Sequence, residues 1–554
     1  MKSILLLLTF LIFLTTIQAQ YPKHIIRLRD KGSNTFSISN PAQYLSVRAL
    51  QRRTRYQLAI DSFDIPVTKR YIDSIRAAGN VAILSTSKWL NQVLIETTDQ
   101  NALNKINSFP FVASTQPIGN RMGNKKLEDE TKEIVVTSSP NTVDGTMADF
   151  YDYGNNYQQV HIHEGEFLHN KGFRGENIQI AVLDAGFNQY KTITAFDSIR
   201  LKGQVLGEKD FVSFDNSVNE DNSHGMYCLS IMAANWPGRM VGTAPKASYW
   251  LLRIENAFTE FPIEEHNWVV GAEFADSTGS DMISSSLGYY DFDDPVFNHT
   301  YNDFYKNSTM VTRGATMAAK KGMIVMNSAG NEGNNQWKYI GFPADADSVC
   351  AVGAVNGAGQ IASFSSFGYP GKVKPNIVSV GVGTVIAGFN NQPVTGNGTS
   401  FSNPNVAGLI ACLWQAFPQF NIMKILDAVY KSSDRYNNPD DRYGFGIPNF
   451  KIAYELLEKE ANAINVSFAN DWLIAAPNPF KSEVSVYLKT PDSGKVSLRL
   501  VDAAGRTIEV ISFEVTANQP RKQIFQNTAQ LAAGMYFIQY ISNTQKRVKK
   551  VVKY

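Results

Sequence analysis

The sequence predicts a central α/β unit, a largely parallel sheet with helices on both faces, set between a small α+β domain and a small all-β sandwich. Three observations carry this. Over residues 157–458 near-continuous apolar runs alternate with helical patterns, as strands buried on both faces of a parallel sheet require. Over residues 20–116 strands and helices interleave in the order of a split βαβ unit. Over residues 466–554 the strands become short and alternating, with turn signals between them. At 554 residues the chain also exceeds one ordinary domain.

At the start, Lys2 precedes the apolar run Ile4–Leu14, and Thr15-Thr16-Ile17-Gln18-Ala19 follows. A charged start, a short apolar run and a small residue read as an export signal over residues 1–19, cut after Ala19. The run is too short for a bilayer, which takes about 20 residues. Next come His24-Ile25-Ile26-Arg27-Leu28 as strand, Tyr71–Arg76 as helix, Val81–Leu84 and Val93–Glu96 as strands, Ala102–Ile106 as helix and Phe111-Val112-Ala113 as strand. This is a ferredoxin-like order. Residues 117–156 are polar, with Ser138-Ser139-Pro140-Asn141 and Gly145, and read as an exposed linker open to proteolysis.

In the central unit the strand-like runs are Ile178–Leu183, Tyr249–Ile254, Met282–Ser285, Met323–Asn327 and Val349–Val355. Met226–Ala234, His266–Ala275 and Arg313–Lys321 are helical between them. In the last part Val484–Leu488, Val496–Val501, Thr507–Phe513 and Met535–Ile541 alternate, with turns at Asn478-Pro479, Pro491-Asp492-Ser493-Gly494 and Ala504-Gly505.

Composition narrows the partners. A hydrophobic content of 44% with 18% charged residues fits folded domains, and a net charge of +2 offers no basis for binding nucleic acid or an anionic membrane. Cys228, Cys350 and Cys412 are an odd number, each in an apolar stretch, so buried free thiols are expected rather than a disulfide.

Chemistry is concentrated in three segments: Ala181-Val182-Leu183-Asp184-Ala185-Gly186, Asn222-Ser223-His224-Gly225 and Gly398-Thr399-Ser400-Phe401-Ser402-Asn403-Pro404. A serine hydroxyl is a poor nucleophile at neutral pH and needs a base, itself oriented by a carboxylate. Each residue alone has a commoner explanation. Asp184 ends a strand, His224 opens an apolar helix with Asn222 and Ser223 as caps, and Ser400 sits where a helix cap would. Pro404 is read as part of that helix's first turn, where proline is tolerated. A fourth piece, Ser328-Ala329-Gly330-Asn331-Glu332-Gly333, brings an amide suited to donating to an oxyanion. Four pieces in the order Asp, His, Asn, Ser leave little room for coincidence.

With these residues in view, the region resembles the subtilase family of serine endopeptidases. Val241-Gly242-Thr243-Ala244-Pro245, Phe342-Pro343-Ala344 and Ala362-Ser363-Phe364-Ser365-Ser366 match as well. The resemblance implies a subtilisin-like fold in which Asp184 orients, His224 is the base, Ser400 the nucleophile and Asn331 the oxyanion donor. It further implies that Ser286, Leu287 and Gly288 form an edge for an extended substrate and, with Ser328, Ala329 and Gly330, wall the pocket before the scissile bond. The small residues suggest a roomy pocket tolerant of apolar groups. The chain departs from the family at Ala185, Met226, Phe401-Ser402 and Asn405, which touches preference rather than chemistry. No cofactor is required; a structural calcium ion fits the resemblance without assignable ligands. His161, His163 and His169 match no zinc spacing and read as one amphipathic helix ended by Gly172. Cys228, four residues after His224, falls on the same helix face.

Residues 20–116 look like the family's inhibitory propeptide, with a maturation cut between Gln116 and Asn156. Ala476-Pro477-Asn478-Pro479-Phe480, Leu531–Tyr536 and Lys549-Lys550-Val551-Val552-Lys553-Tyr554 resemble the sorting domain of type IX secretion. The basic end also suits a plain edge strand. The expected partners are protein or peptide substrates, the chain's own propeptide and an outer-membrane secretion machinery, for a protein secreted or held at the cell surface. A catalytically silent adhesin and a peptidase with one dedicated substrate remain as alternatives.

Overall fold

A computed structural model of the chain describes residues 21–119, 149–220, 222–469, 471–526 and 528–554. The export signal and residues 120–148 of the linker stretch lie outside them. In the N-terminal domain, strand β1 (Lys23–Leu28) is followed by helices α1 (Val47–Tyr56) and α2 (Lys69–Arg76). Strands β2 (Ala82–Ser87) and β3 (Gln92–Glu96), helix α3 (Gln100–Asn107) and strand β4 (Val112–Pro117) complete it. The antiparallel sheet runs β2-β3-β1-β4, the order expected of a split βαβ unit, and Ile26, Val93, Ile95, Ile75 and Ile106 fill its core. Helix α1 has no counterpart in the sequence reading.

The central unit begins with two short helices, α4 (Tyr157–His161) and α5 (Glu166–Asn170). In chain order there follow β5 (Gln179–Asp184), β6 (Val205–Asp210), α6 (His224–Ala233), β7 (Ser248–Arg253), α7 (Ile263–Thr278) and β8 (Met282–Ser285). Then come α8 (Met310–Lys320), β9 (Ile324–Ser328), β10 (Val349–Val355) and β11 (Ile377–Val380). The hairpin β12 (Thr384–Ala387) and β13 (Pro393–Gly396) leads into the helices α9 (Thr399–Ala416), α10 (Ile422–Lys431) and α11 (Phe450–Ala469). Every pairing in the seven-stranded sheet β11-β10-β9-β8-β5-β7-β6 is parallel. Its two faces are buried separately, one against α6 and α9, the other against α7 and α8. That double burial explains the continuous apolar strands. The edge strands β6 and β11 went unread, since β6 (Val-Leu-Gly-Glu-Lys-Asp) is half polar and β11 is only four residues long.

The C-terminal part holds two sheets, β14-β15-β18 (Leu473–Ala476, Ser485–Leu488, Arg521–Ile524) and β17-β16-β19-β20 (Thr507–Val515, Gly494–Asp502, Gly534–Ile541, Lys546–Lys553). Leu488, Leu498, Leu500, Ile538 and Val551 meet between them as a sandwich core. The basic strand β20 is indeed an edge, as its lysines suggested. Among the described residues no helix is long and apolar enough to cross a membrane.

The N-terminal domain lies on α7 and the end of α8, held by an apolar cluster of Ile25, Leu94 and Ile118 with Phe261 and Ile263 and by a set of buried polar contacts. Glu273 on α7 accepts from the backbone N–H groups of Lys88 and Trp89, each at 2.9 Å. Gln92 donates to His266 Nδ1 at 2.9 Å, so the other ring nitrogen carries the proton toward Ser85 Oγ at 2.8 Å. Burial pushes His266 down to about 3, which keeps the ring neutral. Helix α1 sends Arg52 and Arg53 into Asp276, with Arg53 also on Asp64 at 3.0 Å and Lys321 on Asp64 at 2.8 Å. These guanidinium groups are only 2% exposed and Asp276 is fully buried. Removing one partner from such a buried network strands the opposite charge, at a cost of about 3–5 kcal/mol. We therefore expect Arg53→Ala to lower the urea midpoint of the full chain and to loosen its N-terminal domain in limited proteolysis.

Candidate active site

Asp184 ends β5 at the carboxyl edge of the sheet, where open α/β sheets gather their functional groups. In register beside it stands Arg253 of β7, whose Nε donates to the carbonyl of Ala185 at 3.2 Å and whose guanidinium pairs with Asp210 at 2.7 Å. This clamp fixes the turn after Asp184, and the sequence reading missed it. His224 opens α6, and its own N–H is taken by the Asn222 side chain at 2.6 Å. Gly225 lets the helix come this close: a Cβ there would lie 2.5 Å from the carbonyl oxygen of Gly186 and 2.8 Å from the Asp184 Cβ.

The approach brings His224 Nδ1 to 2.7 Å from Asp184 Oδ1, which also accepts from the Ala185 N–H at 2.8 Å. Asp184 is fully buried and the imidazole 17% exposed. Burial opposes the charged ring, but the adjacent carboxylate outweighs it and holds His224 well above the usual 6.5. A proton kept on Nδ1 leaves Nε2 as the basic nitrogen.

Ser400 is the second residue of α9, which starts after Gly398 at φ 154°. Pro404 lies inside this helix, beyond the first turn, which corrects the expectation above. The reason is local. Proline has no N–H for the carbonyl four residues earlier, so the Ser400 carbonyl turns to other donors. Ser286 Oγ reaches it at 2.9 Å and Cys228 Sγ at 3.4 Å. Ser400 Oγ in turn donates to the Ser286 carbonyl at 3.3 Å. Cys228 Sγ lies 4.0 Å from His224 Nδ1, so one thiol touches both the imidazole and the Ser400 backbone. All three cysteines are free and buried.

Asn331 follows β9 on the facing wall. Its Oδ1 accepts from the Thr399 N–H at 2.9 Å and the Thr399 hydroxyl at 3.0 Å, which turns the amide N–H groups the other way. Thr399 also takes the Gly330 N–H at 3.1 Å. Its orienting part had no signal in the sequence beyond its place before Ser400. Ser286, Leu287 and Gly288 leave the end of β8, while Ser328, Ala329 and Gly330 leave β9. Asn327 Nδ2 ties the two walls together through the carbonyls of Leu287 and Ser328, at 2.8 and 2.9 Å. Asn403 Nδ2 adds a bond to the Ser285 carbonyl at 3.1 Å.

His163 and His169 are fully buried, not on a solvated helix face as the sequence suggested. The chain breaks between α4 and α5 at Glu164, which has φ 47°. His163 donates to the Pro448 carbonyl at 3.0 Å and meets Ser379 Oγ at 2.8 Å, while His169 donates to the Thr243 carbonyl at 3.1 Å and meets the Tyr153 hydroxyl at 2.6 Å. Burial lowers both to about 4, so they are neutral packing groups with both nitrogens used. Among the described residues the one group of three potential metal ligands is Asp184, His224 and Cys228. Its nitrogen and sulfur donors do not suit calcium, which takes oxygen ligands.

Comparison with known proteins identifies the family. The subtilase family model matches residues 175–446. Subtilisin NAT of Bacillus subtilis subsp. natto is 31% identical over 290 residues, covering 52% of this chain and 68% of that protein. Subtilisin of Bacillus pumilus is 30% identical over 290 residues, covering 52% of this chain and 94% of that protein. The chain belongs to the subtilase family. Two further models cover its flanks: a peptidase S8 propeptide domain of Bacteroidota over residues 23–133 and a secretion system C-terminal sorting domain over residues 475–554. This subtilase is thus a serine endopeptidase with its own propeptide, exported by type IX secretion to the cell exterior or surface.

The Gly225 contact is open to test. Gly225→Ala should cost about 1–3 kcal/mol through overpacking. The displaced helix should also let the His224 titration, followed by NMR, fall back toward 6.5.

Proposed function

We propose that this subtilase cleaves peptide bonds through a covalent acyl-enzyme on Ser400, with Asp184, His224 and Asn331 as its partners. The 2.7 Å bond from His224 to Asp184, beside the Ser400 turn, is the observation that carries this reading. Ser400 Oγ attacks the substrate carbonyl carbon while His224 Nε2 takes its proton. The tetrahedral oxyanion accepts hydrogen bonds from the Asn331 amide and the Ser400 backbone N–H, the latter at the positive end of an 18-residue helix. Collapse expels the amine, which leaves with the proton from His224. Water then repeats the sequence in reverse and frees Ser400.

On this reading Ser286–Gly288 pairs with an extended substrate and Ser328–Gly330 closes the other side. Residues 20–116 inhibit until a cut within residues 117–156, and residues 466–554 address the precursor to the secretion machinery. Substrates are proteins or peptides in extended form. No cofactor takes part in a step.

Intact mass and casein hydrolysis of the purified precursor test the scheme. Ser400→Ala should neither shed the N-terminal domain nor digest casein, with turnover down on the order of 10⁶-fold. Asn331→Ala should lose at least about 10²–10³-fold in kcat, since the oxyanion contact goes together with the two bonds that Asn331 accepts from Thr399. The pH profile gives a further check. His224 is a base only when neutral, so kcat/KM falls as pH drops through its pKa. Because Asp184 raises that pKa, the acid limb should lie above 6.5; a limb below 6.5 contradicts the assignment.

A further inference from the structure

The ladder between β8 and β9 stops at the pair Ser285–Asn327, and beyond it the two chains part. We propose that Asn327 is a positioning residue that aims the Gly288 N–H into the cleft, at a carbonyl oxygen of an extended substrate. This rests on Ser286–Gly288 being the substrate edge.

Asn327 is out of keeping with its surroundings. It is fully buried, and alternation along β9 puts its side chain on the same sheet face as Val325. Leu183, Ile283, Val325 and Ala351 make that face apolar, and Trp268 of α7 packs on it. An apolar side chain would fill the position with nothing left unbonded. The amide instead buries Oδ1, which has no partner among the described residues, and an unmade bond of that kind is unfavourable. Such an exception calls for a reason.

The reason lies on the nitrogen. Nδ2 donates to the Leu287 carbonyl at 2.8 Å and to the Ser328 carbonyl at 2.9 Å. Leu287 lies two residues past the last ladder pair, so the amide does there what a neighbouring strand does within the sheet. In a planar trans peptide the C=O and the following N–H point in opposite directions. Drawing the Leu287 carbonyl inward therefore turns the Gly288 N–H outward, and Gly288 is exposed.

The chain is anchored on either side of this peptide. Before it, Asn403 holds the Ser285 carbonyl at 3.1 Å and the Ser286 hydroxyl donates to the Ser400 carbonyl at 2.9 Å. After it, Tyr289 and Phe342 exchange backbone bonds at 2.9 and 3.0 Å. Between these anchors Asn327 sets the plane of the Leu287–Gly288 peptide. An extended peptide docks on a strand edge through main-chain bonds, so the outward N–H adds one bond, and only for a substrate long enough to reach it.

Two acylated anilides test this on processed enzyme, one with a single residue before the cleaved bond and one with four. Active sites are titrated with a sulfonyl fluoride, so misfolded protein does not count. In the wild type the longer substrate should have the higher kcat/KM. Asn327→Ala removes the donor, and Asn327→Leu removes it while refilling the space. In both variants the gain from length should shrink about three- to tenfold, the contribution of one hydrogen bond, with the short substrate cleaved as by the wild type. An undiminished gain in Asn327→Leu means that the side chain only fills space, and an equal fall for both substrates means a general structural role. Either result overturns the inference and leaves the substrate-edge reading standing. A wild type that gains nothing from length removes the two together.

Discussion

A carboxylate without solvent at the end of a buried strand is costly unless something answers its charge. At Asp184 the answer is the imidazole of His224, and much of the surrounding chain exists to keep the two 2.7 Å apart. Arg253 pins the turn after the strand, Gly225 allows the close crossing, and Asn222 sets the start of α6. The parallel sheet supplies the common edge on which Asp184, Ser286 and Asn331 all emerge. Pro404 performs a related service for Ser400 by releasing its carbonyl to Ser286 and Cys228, which ties the Ser400 backbone to both the Ser286 turn and the His224 helix.

The reactive groups are fixed by bonds to backbone and to short side chains rather than by long flexible ones. Thr399 holds the Asn331 amide through two contacts, and Asn327 holds the two cleft walls together through two more. Such fixed dipoles need not reorganise when charge develops on a substrate oxygen, which is where this kind of site gains most.

Much of this was readable in the sequence because the central strands are buried on both faces and the candidate site residues sit in glycine-marked turns at their ends. The strands Met282–Ser285 and Val349–Val355 and the positions of Asp184, His224, Asn331 and Ser400 needed only local pattern. What escaped depends on tertiary partners. Helix α1 carries Val-Arg-Ala-Leu-Gln-Arg-Arg-Thr-Arg-Tyr, and its buried face is Ala49 with Arg52 and Arg53, whose shared carboxylate, Asp276, lies more than two hundred residues away. His163 and His169 look solvated by composition and are interior because Pro448, Ser379, Thr243 and Tyr153 receive them.

The seam under the N-terminal domain joins two kinds of surface that behave differently in water. Arg52, Arg53 and Asp276 hydrate readily once separated. Beside them Ile25, Leu94 and Ile118 meet Phe261 and Ile263 in an apolar cluster, which does not. Parting the two domains would therefore bare an oily patch on each, with charged groups around it to limit how far that patch drives association.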